Sequence, residues 1–455
     1  MGDLWLLIPE YLVLGGALLA LFLDVVGGDR RAAARVGAVF AVAAAGVALA
    51  LGPGATLFGG QLVLDERATF ARVAIAALTA VWLLWVAGRG AGSERVAEAT
   101  FLALISALGG MLIVSARDLV VLFIALELST MPAYVLMGYR RDDARGLEGA
   151  LKYFLLSMLT SLVMLYGLSF LYGIAGSTAY ADLASGEATT LRSLGFVFAL
   201  IGLFAKLSAA PFHYWTPDAY AGAPASSVAF VSTVPKVAGT VALVTLVDAI
   251  GGGVPGMTGI LVAVAVASML LGNLAAFPQT DVRRLMAYSG VAHTGYILLA
   301  VAAGATGGAA AVFYTVAYAI PSMAVVLLAA EEGTALADLG GLVARRPLLA
   351  WASVAWLLSL VGIPPMVGFF GKLNLFTAAL QADLLAPVLV AVAMSVVSAG
   401  YYFRILRESF FGERPEAAVM APSAGAWTAM AALTLAVLAM GVAASPLLGF
   451  LGVQF

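Results

Sequence analysis

The sequence predicts an all-α polytopic membrane protein with about fourteen transmembrane helices. Of its 455 residues, 63% are hydrophobic and only 11% are charged, and the mean hydropathy is +1.04. Apolar runs of roughly 20 residues, the length that crosses the hydrocarbon as a helix, recur from Leu4 to the C-terminus. The predicted spans are 4–26, 31–52, 71–90, 96–115, 117–138, 147–175, 192–210, 223–248, 255–277, 281–304, 309–332, 348–378, 383–411 and 423–452.

The first span is predicted to remain in the protein as a helix. Asp3 and Glu10 stand where a signal peptide would carry basic residues, and the apolar run is too long for one. The longest connection, "AGSTAYADLASGEATTLR" at 175–192, is predicted to be a loop or a short hairpin. No long soluble domain is therefore expected.

The distribution of arginine predicts the orientation, since basic residues mark cytoplasmic loops. The even-numbered connections hold only Arg67, Arg72, Arg117 and Arg192. The odd-numbered connections hold the other 15 arginines, which are Arg30, Arg31, Arg35, Arg89, Arg95, Arg140, Arg141, Arg145, Arg283, Arg284, Arg345, Arg346, Arg404, Arg407 and Arg414. This pattern places the odd-numbered loops in the cytoplasm and both termini on the outer side of the membrane.

The composition argues against a redox centre or a nucleotide site in this chain. Cysteine is absent, which excludes thiolate-held iron–sulfur clusters, c-type haem attachment, cysteine zinc sites and disulfides. The two histidines, His213 and His293, make a bis-histidine haem improbable, and no Gly-rich phosphate-binding motif is present. The net charge of −2 and the scattered basic residues give no nucleic-acid signature. We predict no cofactor and no metal in this chain.

The four lysines, Lys152, Lys206, Lys236 and Lys372, all lie inside apolar spans, as does Glu127. Each such charge costs about 2.5–3.5 kcal/mol at mid-membrane, so the five together could cost on the order of 12–18 kcal/mol if uncompensated. They must be paired, hydrated or neutralised. An ammonium in an apolar environment can give up its proton, whereas a guanidinium stays charged, so buried lysines linked by water suit a proton relay.

A structural interpretation competes with the relay. Each charge could form an interhelical ion pair or extend to the membrane interface. For Lys152, near the start of its span in "GALKYFLL", the structural and functional interpretations are equally balanced. The functional interpretation is favoured for Glu127, Lys206 and Lys236, because intramembrane ionisable residues usually mark functional sites. His213 and His293 are weaker candidates, since histidine often only satisfies a buried hydrogen bond.

Prolines accompany the buried charges. Pro211 follows Lys206 and frees the carbonyl of Leu207; Pro235 precedes Lys236 and frees that of Val231. Pro132 similarly frees the carbonyl of Leu128 beside Glu127, and Pro364 and Pro365 interrupt "LVGIPPMVGFFGKLNLF" just before Lys372. Broken membrane helices persist only where protein or a water-filled cavity satisfies the backbone, so lysine, water and freed carbonyls are predicted together.

The spacing of these features suggests an internal repeat. The seventh and twelfth spans are both broken by proline and carry lysine, and Glu127 in the fifth span corresponds to His293 in the tenth. Two inverted five-helix repeats, spans 4–8 and 9–13, would explain the correspondence. The predicted organisation is 1–95 for three flanking helices, 96–250 and 251–415 for the repeats, and 416–455 for a last helix.

Three motifs carry a resemblance to a known family. "AKLSAAPFHYWTPDAYAGAPASSVAFVSTVPKVAG" at 205–239, "YSGVAHTGY" at 288–296 and "GIPPMVGFFGKLNLF" at 362–376 resemble the antiporter-like membrane subunits of respiratory complex I. The resemblance covers essentially the whole chain. Lys372 differs from the glutamate usual in sibling subunit M, and "PPMVGFFGK" differs from the wording usual in sibling L.

The resemblance implies residue roles. Glu127 matches the family's fifth-helix glutamate, which pairs with the seventh-helix lysine, here Lys206. Lys236 matches the central eighth-helix lysine and Lys372 the exit-side lysine of the twelfth helix. Lys152 stands where the family has a sixth-helix lysine, while His213 and His293 resemble its relay histidines.

The implied function is proton translocation in NADH:quinone oxidoreductase, in a multi-pass chain of the bacterial inner membrane. NADH or another donor, FMN, iron–sulfur clusters and quinone are expected on other subunits. The expected partners are the antiporter-like subunit M, small subunits of the K and J types, and the lipid bilayer. Two alternatives remain: a stand-alone or multisubunit Na⁺/H⁺ antiporter subunit, and a purely structural subunit of the membrane arm.

Overall fold

The computed structural model describes residues 4–27, 30–89, 95–140, 142–184, 189–413 and 422–453, apart from the side chains of Arg30 and Arg89. Helices account for most of this chain. The helices are α1 (Ile8–Val25), α2 (Arg30–Leu51), α3 (Glu66–Arg89), α4 (Val96–Ser115), α5 (Leu119–Met137), α6 (Ala144–Ala175), α7 (Tyr180–Ala184), α8 (Thr190–Leu207), α9 (Trp215–Gly222), α10 (Ala225–Val231), α11 (Val234–Ile250), α12 (Met257–Ala276), α13 (Val282–Val301), α14 (Ala305–Glu332), α15 (Leu342–Arg345), α16 (Pro347–Val361), α17 (Val367–Gln381), α18 (Leu385–Phe411), α19 (Ala424–Val442) and α20 (Ala444–Phe450).

The predicted polytopic helical fold is confirmed. Within the described ranges, 12 helical segments are long and apolar enough to cross a membrane. The helix α13 is not among them; it carries Arg283 and Arg284 near its start. Nor are α16 and α17, which have 15 residues each, fewer than the roughly 20 that span the hydrocarbon. The count of fourteen, the inverted repeat and the domain boundaries stay predictions.

The three apolar regions that carry the buried lysines are interrupted. The helix α8 ends at Leu207 and α9 begins at Trp215; α16 ends at Val361 and α17 begins at Val367. These interruptions lie at Pro211 and at Pro364 with Pro365. The third lies at residues 232–233, between α10 and α11, although the predicted fold named only the seventh and twelfth spans as broken. Pro235 is in the first turn of α11, where its missing N–H costs no helical hydrogen bond.

A short antiparallel hairpin precedes α3, which the all-α prediction did not include. Its strands are β1 (Ala55–Leu57) and β2 (Leu62–Leu64). The predicted third span began at residue 71, but α3 begins at Glu66, because the carboxylate of Asp65 accepts a hydrogen bond from the N–H of Ala68 at 2.8 Å. A polar residue that caps the first turn in this way fixes where a helix starts.

The same capping chemistry fixes the start of several helices. Asp118 accepts from the N–H of Val120 and Val121, so α5 begins just after it and carries Glu127 into the interior. Asp281 caps α13 in the same way, through the N–H groups of Arg283 and Arg284. Each cap satisfies N–H groups that lack a partner within the helix.

The most deeply buried helices are α11 and α14. Almost every residue of α14 is buried, so this helix lies inside the bundle. By contrast, α2, α6 and α18 expose large apolar side chains such as Val39, Leu159 and Val396. The polar side chains described below therefore lie in the protein interior, away from the lipid-facing helices.

Close packing of α12 on α13 depends on glycine. A Cβ at Gly272 would lie 2.4 Å from the backbone nitrogen of Ala292 on α13, closer than real Cβ atoms approach. Gly295 meets the backbone of α12 at Ala265 in the same way, at 2.6 Å. The two glycines hold α13, and with it His293, against α12.

Gly272→Ala is expected to lower the free energy of unfolding by about 1–3 kcal/mol, because backbone atoms cannot move aside as a flexible side chain can. Gly259→Ala is the matched control, since a Cβ at Gly259 on the same helix meets nothing within 4 Å. Thermal unfolding of the two purified variants in detergent checks this. Equal midpoints would contradict the packing argument.

Candidate functional site

Three of the four lysines are buried and one is not. The side chain of Lys206 is 6% exposed, and Lys236 and Lys372 are each 4% exposed. The side chain of Lys152 is 44% exposed and contacts Glu148 at 2.8 Å and Asp218 at 3.1 Å. Asp218 also contacts Arg284 at 3.0 Å. Lys152 thus belongs to an exposed charged cluster, separate from the buried lysines.

Glu127 on α5 faces Lys206 at the end of α8, with 3.8 Å between Oε1 and Nζ. That distance is longer than a hydrogen bond, and each group has neutral partners instead. Ser161 donates to Glu127 Oε1 at 2.7 Å, while Lys206 donates to Tyr134 Oη at 2.8 Å and to Thr130 Oγ1 at 3.3 Å. Glu127 Oε2 is buried with no hydrogen-bond partner among the described residues. Lys206 therefore lies within reach of both the carboxylate and the two hydroxyl groups.

The interruption between α8 and α9 is stabilised by side chains from other helices. Thr294 on α13 donates to the carbonyl of Leu207 at 2.6 Å, and Trp215 Nε1 donates to that of Ala205 at 3.0 Å. Ser268 Oγ accepts from the N–H of Ala210 at 2.9 Å. Pro211 deprives the carbonyl of Leu207 of its helical N–H partner, and Thr294 replaces that partner. Backbone groups buried in a membrane need such a hydrogen bond.

Lys236, in the first turn of α11, lies close to the same threonine. Its Nζ donates to the carbonyl of Gly290 at 3.1 Å and to Thr294 Oγ1 at 3.4 Å. Because Thr294 also contacts Leu207, one hydroxyl links the end of α8 with the lysine of α11. The sequence analysis missed the role of Thr294, since the contact joins residues 58 positions apart.

A small cavity lies between Lys206 and Lys236. Its volume is about 20 Å³, and both lysines line it together with Thr130 and Trp215. Roughly 10–15 Å³ of such space is enough for one water molecule that has polar partners. The two lysines can therefore be bridged by water.

His293 occupies the region between Lys236 and Lys372. Tyr314 Oη lies 2.7 Å from its Nδ1, and Tyr402 Oη lies 3.1 Å from its Nε2. Hydroxyl groups donate or accept, so both tautomers of the ring are satisfied. Ser289 Oγ continues the chain of contacts, 2.5 Å from Tyr402 Oη.

Two further tyrosines flank the histidine on the sides that face the lysines. The ring of Tyr318 has its centroid 4.4 Å from that of His293 and 5.5 Å from Lys236 Nζ. The ring of Tyr296 lies 5.6 Å from that of His293 and 5.1 Å from Lys372 Nζ. These aromatic neighbours were absent from the sequence prediction. The alternation of lysine, tyrosine, histidine, tyrosine and lysine gives a polar path through the interior.

Lys372 on α17 folds back onto the interruption that precedes it. Its Nζ donates to the carbonyls of Leu360 at 3.1 Å and Val361 at 2.8 Å, and to Ser395 Oγ at 2.7 Å. Leu360 and Val361 lie four positions before Pro364 and Pro365, so these are the carbonyls that lose their helical N–H partners. The lysine therefore supplies the donor that the prolines remove.

His213 lies in the segment between α8 and α9 and is 7% exposed. Its Nδ1 is buried without a hydrogen-bond partner, and no contact joins it to a buried lysine in the part of the chain that is described. The described part of the chain contains no group of three or more His, Cys, Asp or Glu side chains that could hold a metal ion. The candidate site therefore comprises Glu127, Lys206, Lys236, His293 and Lys372 with their hydroxyl and carbonyl partners.

Known proteins are similar to this chain in sequence and in architecture. A family described as NADH:quinone oxidoreductase/Mrp antiporter, transmembrane, matches residues 116–398. NADH-quinone oxidoreductase subunit N of Maricaulis maris is 40% identical over 428 residues, covering 90% of this chain and 88% of the relative. The protein of the same name from Rhizorhabdus wittichii is 39% identical over 469 residues, covering 98% and 97%.

Among solved structures, a chain of respiratory complex I from Thermus thermophilus with bound aureothin matches with a TM-score of 0.85 and 31% identity. The match covers 97% of this chain and 99% of the other.

Proposed function

The chain belongs to the NADH:quinone oxidoreductase/Mrp antiporter transmembrane family, and we propose that it is the N-type, proton-translocating subunit in the membrane arm of a respiratory complex I. The observation that carries this proposal is the buried path from Glu127 through Lys206, Lys236 and His293 to Lys372. Three of its members are lysines at interrupted helices, where burying a charge is costly. The surrounding protein supplies hydroxyl and carbonyl partners and a cavity large enough for one water molecule.

Membership of the same family supports the setting that we propose for the chain. NADH or another donor, FMN, iron–sulfur clusters and quinone belong to other subunits of the complex. The membrane partners are the antiporter-like subunit M and small subunits of the K and J types. The chain lies in the bacterial inner membrane with both termini on the outer side, an orientation supported by the 15 arginines that the sequence assigns to odd-numbered connections against four for even-numbered ones.

Proton transfer begins with the pair of Glu127 and Lys206. Quinone reduction elsewhere changes the charge of a neighbouring subunit and shifts Lys206 between contact with Glu127 and the hydroxyl groups of Thr130 and Tyr134, which it contacts in this structure. The ammonium, no longer stabilised by the carboxylate, passes its proton through the small cavity to Lys236. His293 and its tyrosines connect Lys236 with Lys372, from which the proton leaves on the outer side.

The free energy needed to move one proton against the membrane potential is modest. Moving one elementary charge against 100 mV costs about 2.3 kcal/mol. A hydrogen bond to a charged group contributes about 1.5–3 kcal/mol, so forming or breaking one such contact is enough to drive a transfer step. The loose 3.8 Å contact between Glu127 and Lys206 is suited to this, because neither partner is held by the other alone.

Mild-detergent purification with an affinity tag on this chain tests the proposal. We expect cysteine-rich peripheral subunits to co-purify, with quinone-reductase activity that acidifies liposomes containing the complex. The family also includes Mrp antiporters, so the result that would contradict the proposal can be named. Sodium-driven proton exchange by the isolated chain, without redox subunits, would favour an antiporter instead.

Thr294→Val is expected to slow proton translocation on the order of tenfold. The change keeps the shape of the side chain but leaves the carbonyl of Leu207 without its donor, which costs about 1–3 kcal/mol, and removes one of the contacts of Lys236. The measurement is the ratio of protons moved to quinone reduced in liposomes.

Thr315→Val is the matched control, because Thr315 is also fully buried and contacts Thr240 and the carbonyl of Ala311. Its ratio should stay near that of the parent. If both variants lose the same fraction of pumping, Thr294 has no special place in the path.

A further inference from the structure

An apolar cavity outside the polar path opens between α3, α14, α19 and α20. Its volume is about 500 Å³, within the range of ligand sites in proteins. Val73, Ala77 and Val81 line it from α3, and Met440 and Leu447 line it from α19 and the segment after it. The site proposed for proton transfer uses none of these residues.

Thr69 is the polar side chain in this lining. It is 2% exposed, and its Oγ1 is buried with no hydrogen-bond partner among the described residues. An unpaired buried hydroxyl costs about 1–3 kcal/mol. A ligand that carries an oxygen acceptor at this depth would remove the cost.

A second, polar cavity adjoins the first at Phe450, which lines both. Its volume is about 550 Å³, and its other lining includes Asp65, Glu66 and Arg67. Asp65 is paired with Arg117, and Arg67 with Asp248, each at 2.5 Å. Glu66 is exposed and has no ion-pair partner in the part of the chain described, so its carboxylate is open to a cation from the polar cavity.

The two cavities follow one face of α3. Glu66, Thr69, Val73, Ala77 and Val81 are spaced by three or four residues, so they share that face. At a rise of 1.5 Å per residue, Thr69 lies about 4.5 Å below Glu66, and Val81 about 18 Å below Thr69. The longer distance is close to one leaflet of a hydrocarbon core about 30 Å thick. A cationic group, an ester oxygen and an acyl chain would meet the helix in this order.

We propose that this groove binds one zwitterionic, amine-bearing glycerophospholipid. Its ammonium contacts Glu66, an ester carbonyl accepts the hydroxyl proton of Thr69 in a hydrogen bond, and one acyl chain fills the apolar cavity. The backbone carbonyls of a partner helix are already hydrogen-bonded within that helix, so they would leave the hydroxyl of Thr69 unpaired, whereas a lipid ester carbonyl is free to accept from it. An anionic headgroup would place its charge beside the unpaired carboxylate.

Photolabelling of the intact complex tests the proposal. The probe is a phosphatidylethanolamine with a diazirine on its acyl chain, compared with the phosphatidylcholine of the same chain. Mass spectrometry should find label on peptides that contain residues 73–81 and 440–447, several-fold more from phosphatidylethanolamine. Absence of label on these peptides, or cross-links from them to another protein chain, would overturn the proposal.

Substitutions separate the parts of the site. Ala77→Phe should remove the label from the groove and reduce the retained phosphatidylethanolamine by one molecule per complex, whereas Ala439→Phe, at an exposed position of α19 outside the cavity, should change neither. Glu66→Gln should abolish the preference over phosphatidylcholine while the groove stays labelled. A preference that survives Glu66→Gln would overturn the headgroup assignment, and label that survives Ala77→Phe would overturn the acyl-chain assignment.

Discussion

Replacing Lys236 by methionine is expected to abolish proton translocation in a complex that still assembles. Methionine retains the length of the side chain but carries no proton, and Lys236 is the member that joins the Lys206 cavity to the His293 region. A relay that lacks its central member cannot be bypassed, because the hydrogen-bond partners of Lys236, the carbonyl of Gly290 and the hydroxyl of Thr294, do not take up a proton as an amine does. Liposomes containing the variant complex should show less than about a tenth of the parental proton movement per quinone reduced, a loss that corresponds to about 1.4 kcal/mol or more in the transfer barrier.

The other lysines provide matched controls. Lys152→Met removes a lysine of the same kind from the exposed cluster with Glu148 and Asp218, and should leave most of the pumping intact. Lys236→Arg keeps the positive charge but cannot release a proton, so it should fail as Lys236→Met does. Normal pumping by Lys236→Arg would show that the position needs only charge, and normal pumping by Lys236→Met would remove it from the path.

The polytopic fold was predictable because bilayer thickness sets the length of each apolar run. The hairpin at residues 55–64 was not, because two three-residue strands leave too little pattern to distinguish from a loop. The interruption at residues 232–233 was also missed as a break of the helix. The nearby Pro235 is compatible with the first turn of a helix, so its presence alone does not place the end of α10 at Val231.

The buried pair of Arg72 and Glu10 was missed, because the sequence analysis assigned Arg72 to a connection between spans. The three buried lysines and Glu127 were predictable from their positions inside apolar spans, whereas their partners were not. Ser161, Thr294, Tyr314 and Tyr402 reach the site from helices far along the chain, and a hydroxyl residue in an apolar helix gives no sign of what it contacts. The exposure of Lys152, by contrast, could have been predicted from the sequence. Glu148 stands four residues before it, the spacing of an exposed helical ion pair, which favours an exposed lysine over a buried one.

Glu127→Gln is expected to lower proton translocation on the order of tenfold and also to reduce the yield of assembled complex. Glutamine keeps an oxygen to accept from Ser161, so the local shape persists, but Lys206 loses the carboxylate 3.8 Å away. Removing one partner of a buried pair costs about 3–5 kcal/mol, because the remaining charge is uncompensated. The reduced yield alone therefore does not distinguish a relay from a structural pair, since both interpretations predict it.

The double variant Glu127→Gln with Lys206→Met separates the two interpretations. It removes both charges, so no unpaired charge remains and assembly should recover toward the parental yield. A pair that only stabilises the fold would then regain full pumping with assembly. A relay would not, because Lys206 is the group that passes the proton to Lys236 through the cavity. We expect recovered assembly with pumping still at the level of the single variant, and recovery of both would mean that the pair only holds α5 against α8.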